Sequence, residues 1–577
     1  MRQRLGDGAS AIARHCGVSA VVFAAACCGS EPPPAGSERP NGPIDPGGPW
    51  VSLTREELFD PNRVLHVEIE MLPADWEALR TEHPPQGFGP FGAECHPFNH
   101  AFRYRYRPAT VTLDGHRVER AGVRKKAYCG SEDQDKPGLK LAFDKYAPSG
   151  LEPGIRRLTL NNAVQDPSYV RQCLGLWVFA RAGLPASRCN FAVVRVNGGD
   201  PELYVHVERL DNEFLRRSFG STDGDLYEGT LSDFDERWLP NFEHKRGPGG
   251  AEARLVAASR ALADESRPAL TRVGEHFHLD SSLRFWAVEV LMAAWDGYHS
   301  NQNNYFIYLE PSTDRLRFAP WGVDHVLSNL HSPAVRTESY LSHFLYRDDA
   351  GRARYYETLD WALAHVWHES ALSSELERLA GVVTRHVPTR EISDVEEAIE
   401  HTRDFIRRRR EVIAQQLANG PLDVDPNPPR VPELVELGSV AIRFETTWDS
   451  LGSPAAAIGS ATVDGAVEGY QLAGARAGAS VGRKGGNTRL SIDLALSSGE
   501  DLHVFAVGPR EDPAPGAELT PNYTGRWRGG LSRRRPSDDK PYLVARLIDA
   551  RLQFDAYATE PGAEVRGFLQ GRIVRIE

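Results

Sequence analysis

One stretch of the chain, residues 283–324, constrains the fold more than any other. Its first part, LRFWAVEVLMAAW, is apolar on several faces at helical spacing, which is typical of a buried helix. Asp280 or Ser281 can cap the start of this helix, and the pattern predicts that it ends at Asp296. A polar loop follows, and then two strand-like segments, NYFIYL and LRFAPW, flank a Pro-Ser-Thr-Asp turn. The predicted order is therefore buried helix, polar loop and β-hairpin, with Asp324 just after the hairpin.

This order contains the parts of a phosphoryl-transfer site. One carboxylate must orient the attacking hydroxyl, while an amide oxygen and a second carboxylate must hold Mg²⁺ on the nucleotide phosphates. Asp296 and Asn301 have the Asp-x4-Asn spacing of the protein-kinase catalytic loop. Asp324 follows the hairpin as the metal-binding acid does in kinases, and Asn304 is a second amide candidate. The spacing alone is common by chance, so its weight comes from its place between a buried helix and a hairpin.

The segment D-G-Y-x-x-N-x-x-N-Y-F-x-Y, followed by P-W-G-V-D, resembles the signature of the CotH-type spore-coat kinases, which are atypical, secretory-type protein kinases. Similar blocks occur in the same order from about Val64 to Ala418. Where the family carries W-D-x-D after the hairpin, this chain has Gly322 in place of the first acid. The resemblance implies that ATP is used with Mg²⁺ or Mn²⁺. It also implies that Asp296 is the catalytic base and that the metal ligands are Asp324, Asn301 and Asn304.

A lysine that anchors the nucleotide phosphates is expected before this stretch. GLKLAFD is predicted to be a strand, and Lys140 points opposite to the leucines on either side of it. From the residues alone, a solvated lysine on an exposed face is the simpler interpretation. The resemblance implies instead that Lys140 anchors the nucleotide, with Lys136 and Arg124 as alternatives. It further implies that Glu208 pairs with that lysine or helps to bind the metal, whereas an ordinary surface carboxylate is the alternative.

The N-terminus has the features of a secretory signal. Arg2 and Arg4 precede a short apolar run that is too short to span a bilayer, and A-A-A-C-C-G-S follows. This segment, residues 1–28, resembles a bacterial lipoprotein signal with Cys27 or Cys28 as the lipidated residue; an ordinary signal peptide cut before Gly29 is the alternative. Residues 29–57 are rich in Pro and Gly and predict a tether. The expected location is the bacterial cell envelope, at the outer membrane or the surface, through a lipid anchor.

Four cysteines remain beyond the signal: Cys95, Cys129, Cys173 and Cys189. An even number in an exported protein allows two disulfides, although the sequence does not give their pairing. Free buried thiols are the alternative. His299 and His325 lie close to the candidate site, and we interpret each as structural or solvent-facing. Arg407 to Arg410, on the last helix of this part, are interpreted as a solvated face.

A chain of 577 residues is expected to form two or three domains. We predict an α+β fold: an atypical kinase-like domain over 58–420, a Pro-rich linker over 421–435, and an all-β sandwich or barrel over 436–577. The net charge is −12 and there is no long basic run, which argues against nucleic acid as a partner.

The predicted function is transfer of the ATP γ-phosphoryl group to Ser or Thr of an exported protein or of the chain itself. Two alternatives stay open. One is a catalytically impaired scaffold, which Gly322 favours, and the other is an envelope-binding lipoprotein.

Overall fold

The structure, a computed structural model, describes residues 54–83, 104–127, 130–146, 155–424, 429, 434–451, 459–467, 470–472, 476–484, 487–496, 499–521, 527–534 and 542–576. All of these belong to one compact unit that covers residues 51–577. The predicted signal with Cys27 and Cys28, most of the predicted tether, and Cys95 and Cys129 lie outside the described residues. No helix within the described ranges combines the length and the apolar composition that a membrane crossing requires.

The first part of the chain forms a closed seven-stranded barrel with the strand order β1-β2-β3-β4-β5-β7-β6. Its elements are α1 (Arg55–Leu58), β1 (Val64–Glu70), α2 (Pro73–Arg80), β2 (Arg107–Leu113), β3 (His116–Lys125), β4 (Leu139–Ala142), β5 (Arg157–Asn161), α3 (Arg171–Arg181), β6 (Cys189–Val196) and β7 (Glu202–Val207). Neighbouring strands are antiparallel except for β1 and β6, which pair in parallel with Val64 opposite Phe191 and so close the barrel.

Alternation of apolar and polar residues decides which side of each barrel strand is buried. In β1, every second residue from Leu65 onward is buried, as a strand with one buried face requires. An Asp114-Gly115 turn joins β2 to β3, and both residues have positive φ, +48° and +87°. In β4, Leu139 and Leu141 are fully buried in the barrel core, and Lys140 points the other way, as predicted.

A four-stranded sheet and a group of helices follow the barrel. The elements are α4 (Asn212–Phe219), β8 (Leu226–Gly229), β9 (Glu243–Arg246), α5 (Glu252–Ala263), α6 (Ala269–His276), α7 (Leu279–Leu291), α8 (Tyr298–Asn301), β10 (Tyr305–Glu310), β11 (Arg315–Pro320), α9 (Tyr340–Arg347), α10 (Asp349–His365), α11 (Glu369–His386) and α12 (Ile392–Leu417). The sheet order is β11-β10-β8-β9. The largest apolar core of the described residues lies here, and α7 runs through it with Ser281 to Leu291 buried, apart from Arg284.

Two boundaries of the central stretch can be compared with their predictions. The hairpin is confirmed, because β10 and β11 pair with Tyr305 opposite Pro320. The predicted helix end at Asp296 is wrong, since α7 ends at Leu291. Ala293 has a φ of +55°, which a right-handed helix cannot contain, so the chain leaves the helix before the acid. Neither predicted cap is used: His278 occupies the N-cap position, without a side-chain hydrogen bond.

The last part of the described chain is all β. Its strands form one ten-stranded sheet: β12 (Leu434–Thr447), β13 (Ser460–Val467), β14 (Tyr470–Gln471), β15 (Arg476–Lys484), β16 (Asn487–Ala495), β17 (Asp501–Pro509), β18 (Glu518–Leu519), β19 (Arg528–Arg534), β20 (Tyr542–Ala556) and β21 (Glu564–Ile576). This sheet has its own apolar core. Arg528 lies 3.6 Å from Glu252 of α5, so an ion pair joins the two parts.

Together these elements confirm the α+β class. A disulfide between Cys173 and Cys189 links α3 to β6, with 5.2 Å between the Cα atoms. This selects one pair among the four cysteines that the sequence left open.

Candidate active site

The loop after α7 is held by a buried glutamate of that helix. The backbone N–H groups of Tyr298 and His299, at the start of α8, donate to the two carboxylate oxygens of Glu289 at 2.9 Å each. Gly297 permits this approach, because a Cβ at that position would lie 2.3 Å from Glu289 Oε1. Burial raises the pKa of Glu289 to about 8. The start of the loop is therefore fixed to α7 in the core of the helical part.

The loop presents the carboxylate of Asp296 surrounded by amides. Asn301 Nδ2 and Asn303 Nδ2 donate to Asp296 Oδ1 at 2.6 and 3.2 Å, and Asn304 Nδ2 donates to Oδ2 at 2.7 Å. Burial raises the pKa of Asp296 above the ordinary aspartate value, while the amides of Asn301 and Asn303 oppose that rise. The side chain thus has a fixed orientation, and its pKa is moved towards neutrality.

Asp324 is the second acid of the site, and the barrel contacts it. Asn161, at the end of β5, donates from Nδ2 to Asp324 Oδ2 at 3.2 Å and also to Gln172 Oε1 at 2.7 Å. The charge of Asp324 raises the pKa of Asp296, although burial contributes more. Two residues before Asp324, Gly322 has a φ of +52°, and a Cβ there would lie 2.3 Å from Asn304 Oδ1. The amide oxygen of Asn304 therefore fills the space that a side chain at position 322 would need.

Basic side chains on the outer face of the barrel lie opposite these acids. Arg124 on β3 and Lys140 on β4 are directly paired, so both point away from the barrel core, and Lys126 is two residues beyond Arg124. Burial lowers the pKa of Lys126, whereas the carboxylates of Asp324 and Glu228 raise it. Lys126 is thus the cation that is electrostatically coupled to the second acid.

Lys140 lies in more strongly positive surroundings than Lys126. Burial, followed by the charges of Arg124 and Lys126, lowers its pKa to about 7. Glu228 on β8 is the acid that opposes this effect. Lys245 on β9 forms ion pairs with both Glu228 and Glu243 across the edge of the sheet, which fixes the position of Glu228.

Two buried polar residues outside the loop keep its surroundings in register. Asp233 accepts hydrogen bonds from Tyr298 Oη at 2.9 Å and from the backbone N–H of Tyr340 at 2.8 Å, and burial raises its pKa to about 7. The guanidinium of Arg409 on α12 donates to the backbone oxygens of Val290, Leu291, Leu330 and Ser332. These carbonyls belong to the end of α7 and to the segment after Asp324, so one side chain binds both acid-bearing segments.

Part of the chain is similar in sequence to known proteins. The sequence model of the CotH kinase protein family matches residues 128–413. The inner spore coat protein H of Bacillus subtilis (strain 168) is 25% identical over 210 residues, which are 34% of this chain and 57% of that relative. Residues 128–413 therefore belong to the CotH-type family. The chain spans a little over half the length of this relative, and the family places it among kinase-like proteins.

A solved structure is also similar to part of the chain. The crystal structure of a Helicobacter pylori proinflammatory kinase, CtkA, aligns with 49% of this chain and 93% of its own chain at 8% identity, with a TM-score of 0.22. A TM-score this low supports no conclusion about the fold, so the CotH-type assignment depends on the sequence matches.

Of the predicted CotH-type residues, those in the central stretch come together. Asp296, Asn301 and Asn304 are in direct contact, and Asp324 acts on Asp296 electrostatically. Asn301 and Asn304 use their amide N–H groups on Asp296, so only their oxygens could serve as metal ligands. A carboxylate with amide oxygens forms an all-oxygen donor set, which suits Mg²⁺ completed by phosphate oxygens and water. Within the described ranges, no three His, Cys, Asp or Glu side chains group closely enough to hold a metal by themselves.

The predicted pairing of Lys140 with Glu208 is wrong. Glu208 is fully buried and forms ion pairs with Arg188 at 2.9 Å, Arg217 at 2.6 Å and Arg55 at 3.6 Å. These arginines already neutralise the carboxylate, and Glu228 faces the lysines instead. Nothing in the sequence singles out Glu228, because it lies inside a four-residue strand with no distinctive pattern.

The two alternatives to Lys140 have different outcomes. Lys136 lies outside the basic group: its ammonium contacts the Tyr169 hydroxyl and lies 4.5 Å from the centre of the Tyr169 ring. Arg124 belongs to the group, and its guanidinium lies 4.9 Å from the centre of the Tyr106 ring. Lys126 was missed, although the period-two spacing from Arg124 in GVRKKA is a signal that places it on the same face.

The interpretation of the last helix also needs correction. Arg407 and Arg408 form ion pairs with Asp404 on an exposed face, as expected, but Arg409 is fully buried. Of the two histidines, His299 is structural, since its Nδ1 lies 2.9 Å from Ser339 Oγ and burial keeps its pKa well below the ordinary value. His325 accepts a hydrogen bond from the indole N–H of Trp295 at 3.1 Å.

Proposed function

We propose that this protein is an exported, CotH-type protein kinase that transfers the γ-phosphoryl group of ATP to Ser or Thr hydroxyls. The observation that carries the proposal is the meeting of two acids with a basic surface. Asp296, oriented by three amides, stands near Asp324, and Lys126 of the barrel is coupled to Asp324. Phosphoryl transfer requires a group that orients the nucleophile next to groups that neutralise phosphate charge.

Asp296 acts on the acceptor. Its carboxylate accepts the proton of the attacking hydroxyl, and the three amides keep it in the orientation that this requires. A base works best when its pKa lies near the working pH, and burial moves the pKa of Asp296 in that direction. Glu289 holds the start of the loop on the core, so the position of Asp296 is set by a rigid element.

Lys126 and Lys140 bind the phosphates. Lys126 is coupled to Asp324 and Glu228, and Lys140 lies among further cations, so an anion between them relieves their mutual repulsion. Asp324, with the amide oxygens of Asn301 and Asn304, would hold Mg²⁺ or Mn²⁺, which supplies charge neutralisation at the phosphates. Glu228 positions the lysines and is itself held by Lys245.

We further propose that the chain works outside the cytoplasm and is anchored through lipid at Cys27 or Cys28. The disulfide between Cys173 and Cys189 supports export, because such bonds persist in oxidising compartments and are rare in the cytosol. The acceptor would then be an envelope or surface protein, or the chain itself, and nucleic acid has no role.

The test is phosphoryl transfer from labelled ATP by the mature protein, with and without Mg²⁺ or Mn²⁺. Asp296→Asn is expected to reduce the rate by a factor on the order of 10²–10⁴ and to leave nucleotide affinity nearly unchanged. The matched control is Asp280→Asn on α7, where the exposed carboxylate pairs only with Arg354 at 3.0 Å. In Asp296→Asn, the new amide N–H group faces the amide N–H groups of the surrounding asparagines, which can destabilise the loop. The melting temperature of each variant is therefore measured beside its rate. Equal rates for wild type and Asp296→Asn would refute the assignment.

The second candidate function is a scaffold that keeps the fold and has lost the chemistry. Gly322 favours it, since the family places an acid there and the side chain of Asn304 now fills that space. In that case the wild-type protein binds no nucleotide in the presence of either metal, and no variant of Asp296 or Asp324 changes any measured rate. Nucleotide binding by the wild type, lost in Asp324→Ala, decides for the enzyme.

A further inference from the structure

Two exposed apolar side chains border the candidate site. Among the residues that the structure describes, four large apolar side chains are exposed: Leu72, Val164, Trp295 and Leu434. Trp295, 44% exposed, directly precedes Asp296. Val164, 41% exposed, follows Asn161 by three residues, and Asn161 donates to Asp324. Three residues span at most roughly 11 Å. Trp295 of the helical part therefore adjoins the first acid, and Val164 of the barrel part lies within that span of a residue that contacts the second acid.

Trp295 is exposed but fixed. Its indole N–H donates to His325 Nδ1 at 3.1 Å, and the two rings pack edge to face with 5.2 Å between their centres. His325 directly follows Asp324, so this contact ties the residue before the first acid to the residue after the second. An aromatic ring held in this way offers apolar area to a ligand at a low entropic cost.

We propose that Trp295 and Val164 contact the acceptor segment and select an apolar side chain next to the Ser or Thr that is phosphorylated. This inference rests on the proposed function. The acceptor hydroxyl must come within about 3 Å of the Asp296 carboxylate, and the next residue of an extended acceptor is only about 3.8 Å further along its chain. That residue is therefore within reach of Trp295, which directly precedes Asp296. An apolar side chain suits it, because both bordering groups are apolar and neither carries a charge.

The test uses the full mature protein and short synthetic peptides that contain one Ser, with Leu, Gly or Lys placed directly before or after it. Wild type is expected to phosphorylate the better Leu peptide roughly 10- to 30-fold more efficiently, in kcat/KM, than its Gly counterpart. Trp295→Ala is expected to abolish this preference while the KM for ATP stays unchanged. Trp295→Phe, which keeps an apolar ring but loses the N–H, is expected to retain most of it.

Leu434→Ala is the matched control, because it removes an exposed apolar side chain from the first strand of the β part and should leave the preference intact. Three results would overturn the inference: equal use of all peptides by wild type, a preference for Lys, or an effect of Trp295→Ala on the KM for ATP alone. The proposed function fails separately, when wild type transfers phosphate to no peptide and not to itself.

Discussion

Nucleotide binding by this protein is expected to take up a proton near pH 8, and Lys140 is the group that receives it. In the free protein, burial together with the neighbouring cations lowers the pKa of Lys140 to about 7. At pH 8, roughly nine in ten of these side chains are therefore neutral. Phosphate oxygens favour the charged form and raise the pKa in the complex. Between pH 7 and that raised pKa, each pH unit weakens ATP binding by up to about tenfold.

The sign and the limits of this effect follow from the two pKa values. Below pH 7, Lys140 is charged in the free and the bound protein and contributes no pH dependence. Above pH 7, the free protein has lost the proton that the complex keeps, so affinity falls as pH rises. The dependence ends at the pKa that Lys140 has in the complex, because above it both states have lost the proton. The phosphate groups titrate near pH 6, so the range from pH 7 to 9 reports on the protein.

Isothermal titration calorimetry with ATP and Mg²⁺ measures the uptake directly, when it is run at pH 8 in two buffers of different ionisation enthalpy. Wild type is expected to take up close to one proton for each ATP bound. Lys140→Arg, which stays charged, should take up almost none and should bind with a flat pH profile. Lys126→Arg is the matched control on the neighbouring strand and should retain the uptake. Unchanged uptake in Lys140→Arg would refute this account.

Three further predictions concern residues around the site. Arg409→Ala should lower the free energy of unfolding in urea by about 3 kcal/mol or more, because four buried carbonyls lose a charged donor, whereas Arg408→Ala, on the exposed face, should cost about 0.5 kcal/mol or less. The family pattern suggests that Gly322→Asp would increase activity, but this variant should reduce kcat, because φ is +52° and the new side chain displaces Asn304. The control in the same rate assay is Gly198→Ala, at a φ of +72° with open space around it. Cys173→Ser should lower the free energy of unfolding by about 3 kcal/mol, the value for a loop close to its sequence separation of 16, and added reductant should change the wild type but not this variant.

The local elements of this fold could be predicted from the sequence, but the pairing of distant strands could not. Period-two alternation identifies β2 and β3 as strands. Because only the Asp114-Gly115 turn separates them along the chain, their pairing is a local feature. The closure of the barrel by β1 and β6 joins Val64 to Phe191, and no local pattern specifies a parallel partner that far along the chain. The end of α7 was missed for a related reason. Ala293 is a good helix former, and only the packing of the loop on the core forces its positive φ.

The same division between local and distant contacts explains which parts of the candidate site could be predicted from the sequence. Asp296 meets Asn301 and Asn304 within one loop, so spacing predicted their neighbourhood, although it suggested metal ligands and the structure shows amide donors to the acid. The partner of the lysines is a distant contact. Glu208 directly follows β7 and Glu228 lies within β8, and only the arginines packed on Glu208 exclude it as the partner of the lysines. Sequence spacing carries no information about which of two acids is already neutralised.

The charges on the barrel face opposite the two acids favour an anion, although the chain as a whole is acidic. Three cations act on Lys140 there: Arg124, Lys126 and Arg209. Two acids, Glu228 and Asp324, oppose them, and part of the charge of Glu228 is already taken by Lys245. Burial, together with these cations, accounts for the low pKa of Lys140, since both disfavour the charged form of the amine. A net charge of −12 argues against a general affinity for polyanions, so the basic side chains of the barrel face have to act locally. Under the proposed function, a bound polyphosphate would reduce this repulsion and restore the proton, so the nucleotide would supply the counter-charge of the barrel face.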